Sequence, residues 1–146
     1  MKKLALDIGD VWTGSALSDA LGIIARPHIT ILTHNINTFL IDLLGKEKID
    51  VIVVGYPKTM RGSESAQTKK TYDHIEILKK SFPGVEWVLW DERLSSKRAD
   101  SLKSARSSDE KKAAHSRAAA FILDSYLNYR ASIKKNSGPD NDPEFE

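Results

Sequence analysis

Apolar positions follow two rhythms along this chain. Up to Thr33 they form short runs broken by turn residues. The stretch "KKLALDIG" predicts a strand that is apolar on both faces until Asp7. "TGSALSD" (Thr13–Asp19) predicts a second strand, reached through a tight connection containing Gly9 and Gly14, and "IIARPHITILT" (Ile23–Thr33) a third. Connections of hairpin length make these three an antiparallel meander. Pro27 suits an edge strand or a strand irregularity.

After Asn37 the rhythm changes to solid runs alternating with helical spacing. "NTFLIDLLG" predicts a short amphipathic helix, with Asn37 as N-cap and Gly45 as its stop. Val51–Val54 is a continuous apolar run, as in a strand covered on both faces. Tyr72, Ile75, Leu78 and Phe82 recur three or four apart and predict a helix ended by Pro83 and Gly84. "VEWVLWDE" predicts another strand, and "SSKRADSLKSA" a short helix capped by Ser95 or Ser96. Ser107 and Glu110 have capping-box spacing ahead of a long helix with the stripe Ala118, Ala119, Ile122, Tyr126.

Strands that follow helical crossovers run parallel to the first. The predicted fold class is therefore α/β: a five-stranded mixed sheet, three antiparallel strands and then two parallel, flanked by helices. In such sheets ligands gather where the carboxyl ends of central strands meet. Asp7 is expected at one such end and "WDE" (Trp90–Glu92) at another.

Composition narrows the chemistry. The chain has 146 residues and no cysteine, which excludes a disulfide framework, cysteine-ligated zinc and a cysteine nucleophile, and fits a reducing cytoplasm. The apolar run after "MKK" is broken by Asp7 and Asp10 too early for a signal peptide, and no segment reaches the length of a membrane span. The net charge is +2, with four acids and no base in "NSGPDNDPEFE". Residues 1–135 are expected to form one domain, and 136–146 an acidic, disordered tail. Arg93–Arg117 holds eight bases against three acids, a stripe suited either to phosphate or to a solvated helix face.

A strand-terminal aspartate alone is more often a turn former than a catalyst. A second carboxylate on a neighbouring parallel strand changes that balance, because two acids brought together call for a divalent cation. Oxygen donors without cysteine suit Mg2+ or Mn2+. Asp91 and Glu92 point to opposite sides of a regular strand, so only one can face Asp7. In "VGYPKTMRGSESAQ" (Val54–Gln67), Gly62 and Ser63 can offer amides to phosphate at a helix start, and Lys58 and Arg61 add charge; the spacing is not that of a P-loop.

Taken together, "LALDIGDVWTGSALSD", "VGYPKTMRGSESAQ", "WDERLSSKRAD" and "HSRAAAFILDSYL" resemble the YqgF (RuvX) family of Holliday junction resolvases and pre-16S rRNA processing nucleases. The resemblance runs from about Leu4 to Leu127. It implies a ribonuclease-H-like fold and a metal-dependent phosphodiesterase site built from three acids. Carried onto this chain, the catalytic and metal-binding positions are Asp7, Glu92 (with Asp91 as the alternative) and His115, which stands where the family has an aspartate. Lys58, Arg61, Ser63, Arg93, Lys97 and Arg98 are the expected nucleic-acid contacts. Val11 and Trp12 replace a Lys-Arg-like pair; Trp12 suits either base stacking or core filling.

The leading reading is a cytoplasmic nuclease with Mg2+ or Mn2+, acting on pre-rRNA or branched DNA, monomeric or weakly homodimeric and without a membrane partner. Second comes a binding module that has lost catalysis, supported by His115 and the missing basic pair. An actin-like ATPase lobe ranks last, since a chain this short has room for only one of the two lobes that close over a nucleotide.

Overall fold

The computed structural model describes residues 1–56, 66–91 and 107–137. Strands β1 (Lys2–Ile8), β2 (Trp12–Ser18) and β3 (Ala25–Leu32) form an antiparallel meander. A 3-10 turn at Thr33–Asn35 leads into helix α1 (Ile36–Lys46). Strand β4 (Ile49–Tyr56) precedes helix α2 (Ala66–Ser81), and strand β5 (Glu86–Asp91) precedes helix α3 (Ser108–Ser137). The sheet order is β3-β2-β1-β4-β5, with β4 parallel to both β1 and β5. The expected three-plus-two arrangement is the one observed. β3 is an edge strand, and the ladder it makes with β2 shifts register between Gly14 and Ala16 beside Pro27, so both roles expected of this proline are met.

Strand alternation divides the sheet into two faces. Leu4, Leu6, Ile52 and Val54 pack with Leu40 of α1 and with Ile75 and Leu78 of α2. Ala5, Ala16 and Val53 pack with Ala119, Ile122 and Leu123 of α3. Among the described residues, no helix is long and apolar enough to cross a membrane.

Three local expectations need correction. The third strand starts at Ala25, not Ile23, because the Asp19 carboxylate accepts the amides of Ile23 (2.7 Å) and Ile24 (3.0 Å) and makes that segment part of a turn. Those two bonds, Ile24's first, hold the Asp19 carboxyl below its ordinary pKa. The same turn places Gly22 at φ 71°, a conformation that favours glycine. Asn37 is not the N-cap of α1: the helix begins at Ile36, and the preceding 3-10 turn leads directly into it. Gly45 does not stop α1 either, which continues to Lys46. Nothing lies within 4 Å of a side chain added there, so Gly45 costs the helix only its propensity, about 1 kcal/mol.

The start of α3 agrees with the sequence in detail. The Glu110 amide donates to Ser107 Oγ at 3.0 Å, and the Ser107 amide donates back to Glu110 Oε2 at 3.4 Å. This reciprocal cap satisfies two of the amides a helix start leaves open. The short helix expected within Ser95–Ala105 lies outside the described residues, as does the expected tail from residue 138 on; residues 136–137, expected as the start of that tail, instead continue α3 to Ser137.

Candidate active site

Asp7 is the penultimate residue of the central strand and is only 2% exposed. Its strand partner is Gly14 on β2, and both lie on the face that α3 covers. Gly14 is the key to how closely the helix approaches. A methyl group there would collide with the carbonyl of His115 and lie 2.7 Å from the Ser116 amide nitrogen. Only glycine lets the α3 backbone settle onto β2 at this point. A second gap on the same face is Gly55, where a methyl group would meet Ile122 Cδ1 at 2.5 Å and Asp7 Oδ1 at 3.9 Å.

The close approach brings His115 over the buried acid. His115 Nδ1 lies 3.7 Å from Asp7 Oδ2, beyond hydrogen-bond reach but within ion-pair range if the imidazole is protonated. Among the described residues, the buried Nδ1 has no hydrogen-bond partner. A buried polar atom left this way is costly. The separation is less than twice a metal–ligand bond of ~2.1 Å, so one ion can touch both side chains. The donors are one oxygen and one nitrogen, which suit a hard or borderline divalent cation. Asp7 and His115 thus fit a metal as two ligands. Among the described residues, no third His, Asp or Glu joins them.

The loop after Asp7 is fixed by hydrogen bonds. The Gly9 amide donates to the Trp12 carbonyl at 2.9 Å, and the Thr33 amide to the Val11 carbonyl at 2.8 Å. Thr33 Oγ1 donates to the Gly9 carbonyl at 2.7 Å. Thr33 therefore ties the start of α1 to the rim of the site. Beyond Gly9, the half-buried Trp12 belongs to neither core cluster among the described residues; the Lys112 ammonium stands 4.5 Å over its ring.

Asp91 falls on the other side of the sheet. Val88 and Trp90 pack toward α3, so alternation carries Asp91 to the α1/α2 face, away from Asp7. Glu92, Arg93, Lys97, Arg98, Lys58, Arg61 and Ser63 lie outside the described residues. On α3, Ala118, Ala119, Ile122 and Tyr126 are all buried as the stripe predicts, while Asp109 and Asp124 are exposed and away from the pair.

Residues 1–129 match the model of a family described as RuvX, Holliday junction resolvase. This chain belongs to the RuvX family. A relative from Rubrobacter xylanophilus, named "Putative pre-16S rRNA nuclease", is 36% identical over 124 residues, covering 84% of this chain and 89% of the relative. One of the same name from Fusobacterium nucleatum is 35% identical, covering 87% and 96%. Among solved structures, Thermus thermophilus RuvC in complex with a Holliday junction substrate is similar with a TM-score of 0.56 at 14% identity, over 90% of this chain and 96% of that one. At that identity the likeness is one of fold, and the fold is ribonuclease-H-like.

Within this RuvX chain, sequence reading singled out Asp7 and His115, which the fold brings together. It did not single out Lys112, which shares the α3 surface with His115 one turn earlier. The only signal was that three-residue spacing, set among several other bases. Nor did it assign Gly14 a role at the site, since a glycine in a strand does not announce which backbone will approach it.

Proposed function

We propose that this chain is a metal-dependent nuclease that hydrolyses phosphodiester bonds in structured nucleic acid, with the 5' end of pre-16S rRNA as its first candidate substrate and a Holliday junction as its second. One observation carries the reading: a buried carboxylate at the carboxyl end of the central strand faces the buried, unsatisfied Nδ1 of His115 at 3.7 Å. Membership of the RuvX family and the names of its relatives support it.

In this reading Asp7, His115 and Glu92 hold Mg2+ or Mn2+. The ion, when bound, stabilises charge on the phosphoryl oxygens and lowers the pKa of water. Asp7 contributes a fixed negative charge on a strand that cannot shift, because both of its neighbours in the sheet are paired to it. Hydrolysis adds water oxygen to phosphorus and breaks one P–O bond; the departing oxygen takes up a proton. His115 offers Nδ1 as a ligand beside the Asp7 carboxyl. Lys58, Arg61, Ser63, Arg93, Lys97 and Arg98 hold the nucleic-acid backbone, which makes binding salt-dependent.

The test is incubation of the pure protein with a pre-rRNA fragment and with a four-way DNA junction, each with Mg2+ or Mn2+. Asp7→Asn keeps the side-chain shape and removes its charge, so a folded Asp7→Asn protein should lose cleavage by about a hundredfold or more. Full cleavage by that variant removes Asp7 from the site. Imidazole favours softer ions than magnesium. Activity should therefore be higher with Mn2+ and move toward Mg2+ in His115→Asp. A second reading has one observation in its favour. His115 Nδ1 lies within ion-pair distance of Asp7 Oδ2; if it serves as that acid's partner and not as a metal ligand, the site is a binding module without catalysis, and wild type and His115→Asp should both bind without cutting.

A further inference from the structure

The β1–β2 loop and the first turns of α3 bring together two residues that the proposed metal site does not use. On β2, side chains alternate between the faces, so Trp12, Gly14 and Ala16 share the α3 face. On α3, Lys112 and His115 are one turn apart. The two periodicities match. His115 lies over Gly14, next to Asp7, and Lys112 lies over Trp12, one step further toward the open end of the sheet. The row Asp7–His115–Lys112 thus leads outward from the buried acid to a cation at the rim.

This cation is held in place. Thr30 Oγ1 on β3 donates to the Lys112 carbonyl, pinning the helix backbone there. Trp12 is fixed by its pairing with Leu32 and by the amide of Gly9. An ammonium resting on an indole face uses the ring's charge distribution and keeps N–H donors for another group. Among the described residues, Lys112 has no carboxylate in ion-pair range to occupy those donors. The neighbouring Glu110 is engaged in capping α3, and Asp109 is exposed in the first turn.

We propose that Lys112 is a substrate-binding residue that contacts a phosphate of the cleaved strand adjacent to the scissile one, and that Trp12 is the positioning residue that aims it. This inference rests on the nuclease reading and adds to it a specific phosphate contact on the α3 side of the site. A lysine on a long flexible stem loses entropy when it binds, and resting on the indole means that part of this loss is met before the substrate arrives.

The experiment is equilibrium binding of a labelled RNA oligonucleotide and a labelled four-way DNA junction to the full chain in EDTA, over a range of salt, with thermal melts of every variant. Lys112→Ala should weaken binding about tenfold, the worth of one charge-assisted hydrogen bond. It should also reduce the slope of log affinity against log salt by roughly 0.7–0.9, one phosphate contact. Lys112→Arg should restore both. Trp12→Leu should weaken binding less than Lys112→Ala and have little further effect in the double variant, whereas Trp12→Phe should keep most of the affinity. Where cleavage is measured, Lys112→Ala should raise KM and leave kcat within a factor of about two. A Lys112→Ala protein that melts like wild type and keeps wild-type affinity and salt slope overturns the proposal while leaving the nuclease reading intact. Failure of the wild type to bind either probe overturns both.

Discussion

On the α1/α2 face the central strands present Leu4, Leu6, Ile52 and Val54; on the α3 face the same strands present Ala5, Asp7, Val53 and Gly55. β2 adds Gly14 and Ala16 to the second set. The large-residue face buries area, at about 1.5–3 kcal/mol for each fully buried Leu, Ile or Val. The small-residue face buries less per residue and gains proximity instead, letting the α3 backbone settle onto β2 beside a buried acid. Stability and placement of the site are thus largely divided between the two sides of one sheet.

The change that tests this division most severely is Gly14→Ala. The added methyl group meets backbone, at His115 and Ser116, which cannot swing aside. Stability should fall by about 3 kcal/mol or more as α3 is pushed away. Cleavage by the folded fraction should fall about a hundredfold from misplacement of His115. Gly55→Ala makes the control on the same face: its methyl group meets the end of the Ile122 side chain, which can turn, and should cost nearer ~1 kcal/mol. Urea melts and single-turnover cleavage measure both. Equal effects for the two glycines would mean that backbone approach at Gly14 is not what sets the site.

Leu40→Ala breaks the opposite face. Leu40 is fully buried on α1, and its loss should cost about 2–5 kcal/mol. Because α1 and α3 lie on opposite sides of the sheet, kcat at a temperature where the variant is folded should stay within a factor of about two of wild type. A large fall in kcat without unfolding would show that the two faces are coupled.

The smallest effect concerns the histidines outside the site. Desolvation lowers the pKa of His28, which rests against Phe39, with Glu47 opposing and Lys2 reinforcing the shift. Desolvation also lowers that of His74 on α2. The folded protein therefore binds fewer protons at these positions than the unfolded chain. Their contribution is fully present above the ordinary imidazole value of about 6.5 and is lost as pH falls through the lowered folded values. The melting temperature should decline between about pH 6.5 and pH 5, and the His28→Gln/His74→Gln protein should decline less. An unchanged profile in that variant would place the acid sensitivity elsewhere.

The sheet order was legible because each strand carried its own evidence: alternation or solid apolar runs, turn residues, and crossover lengths. The cap at Ser107 and Glu110 was legible because its chemistry is local. Asp7 stood out because an acid interrupts an apolar strand. The start of α1 was misread because a 3-10 turn at Thr33–Asn35, invisible as a pattern, leads into the helix. Ile23 and Ile24 looked like strand residues, but the Asp19 carboxylate recruited their amides into a turn. The pairing of Trp12 with Lys112 and the seating of His115 on Gly14 join parts of the chain far apart in sequence. No window of neighbouring residues contains either.

That distance also sets when the site can exist. Thr30 and Lys112, whose bond seats the start of α3, are 82 residues apart, and Asp7 is earlier still. At roughly 5–20 residues per second, about 4–16 seconds of synthesis separate them. All three strands of the meander are synthesised before α3, and the acid at the end of β1 has no histidine above it until the last helix is translated. A chain cut before α3 would lack the paired site and the helix that covers this face of the sheet.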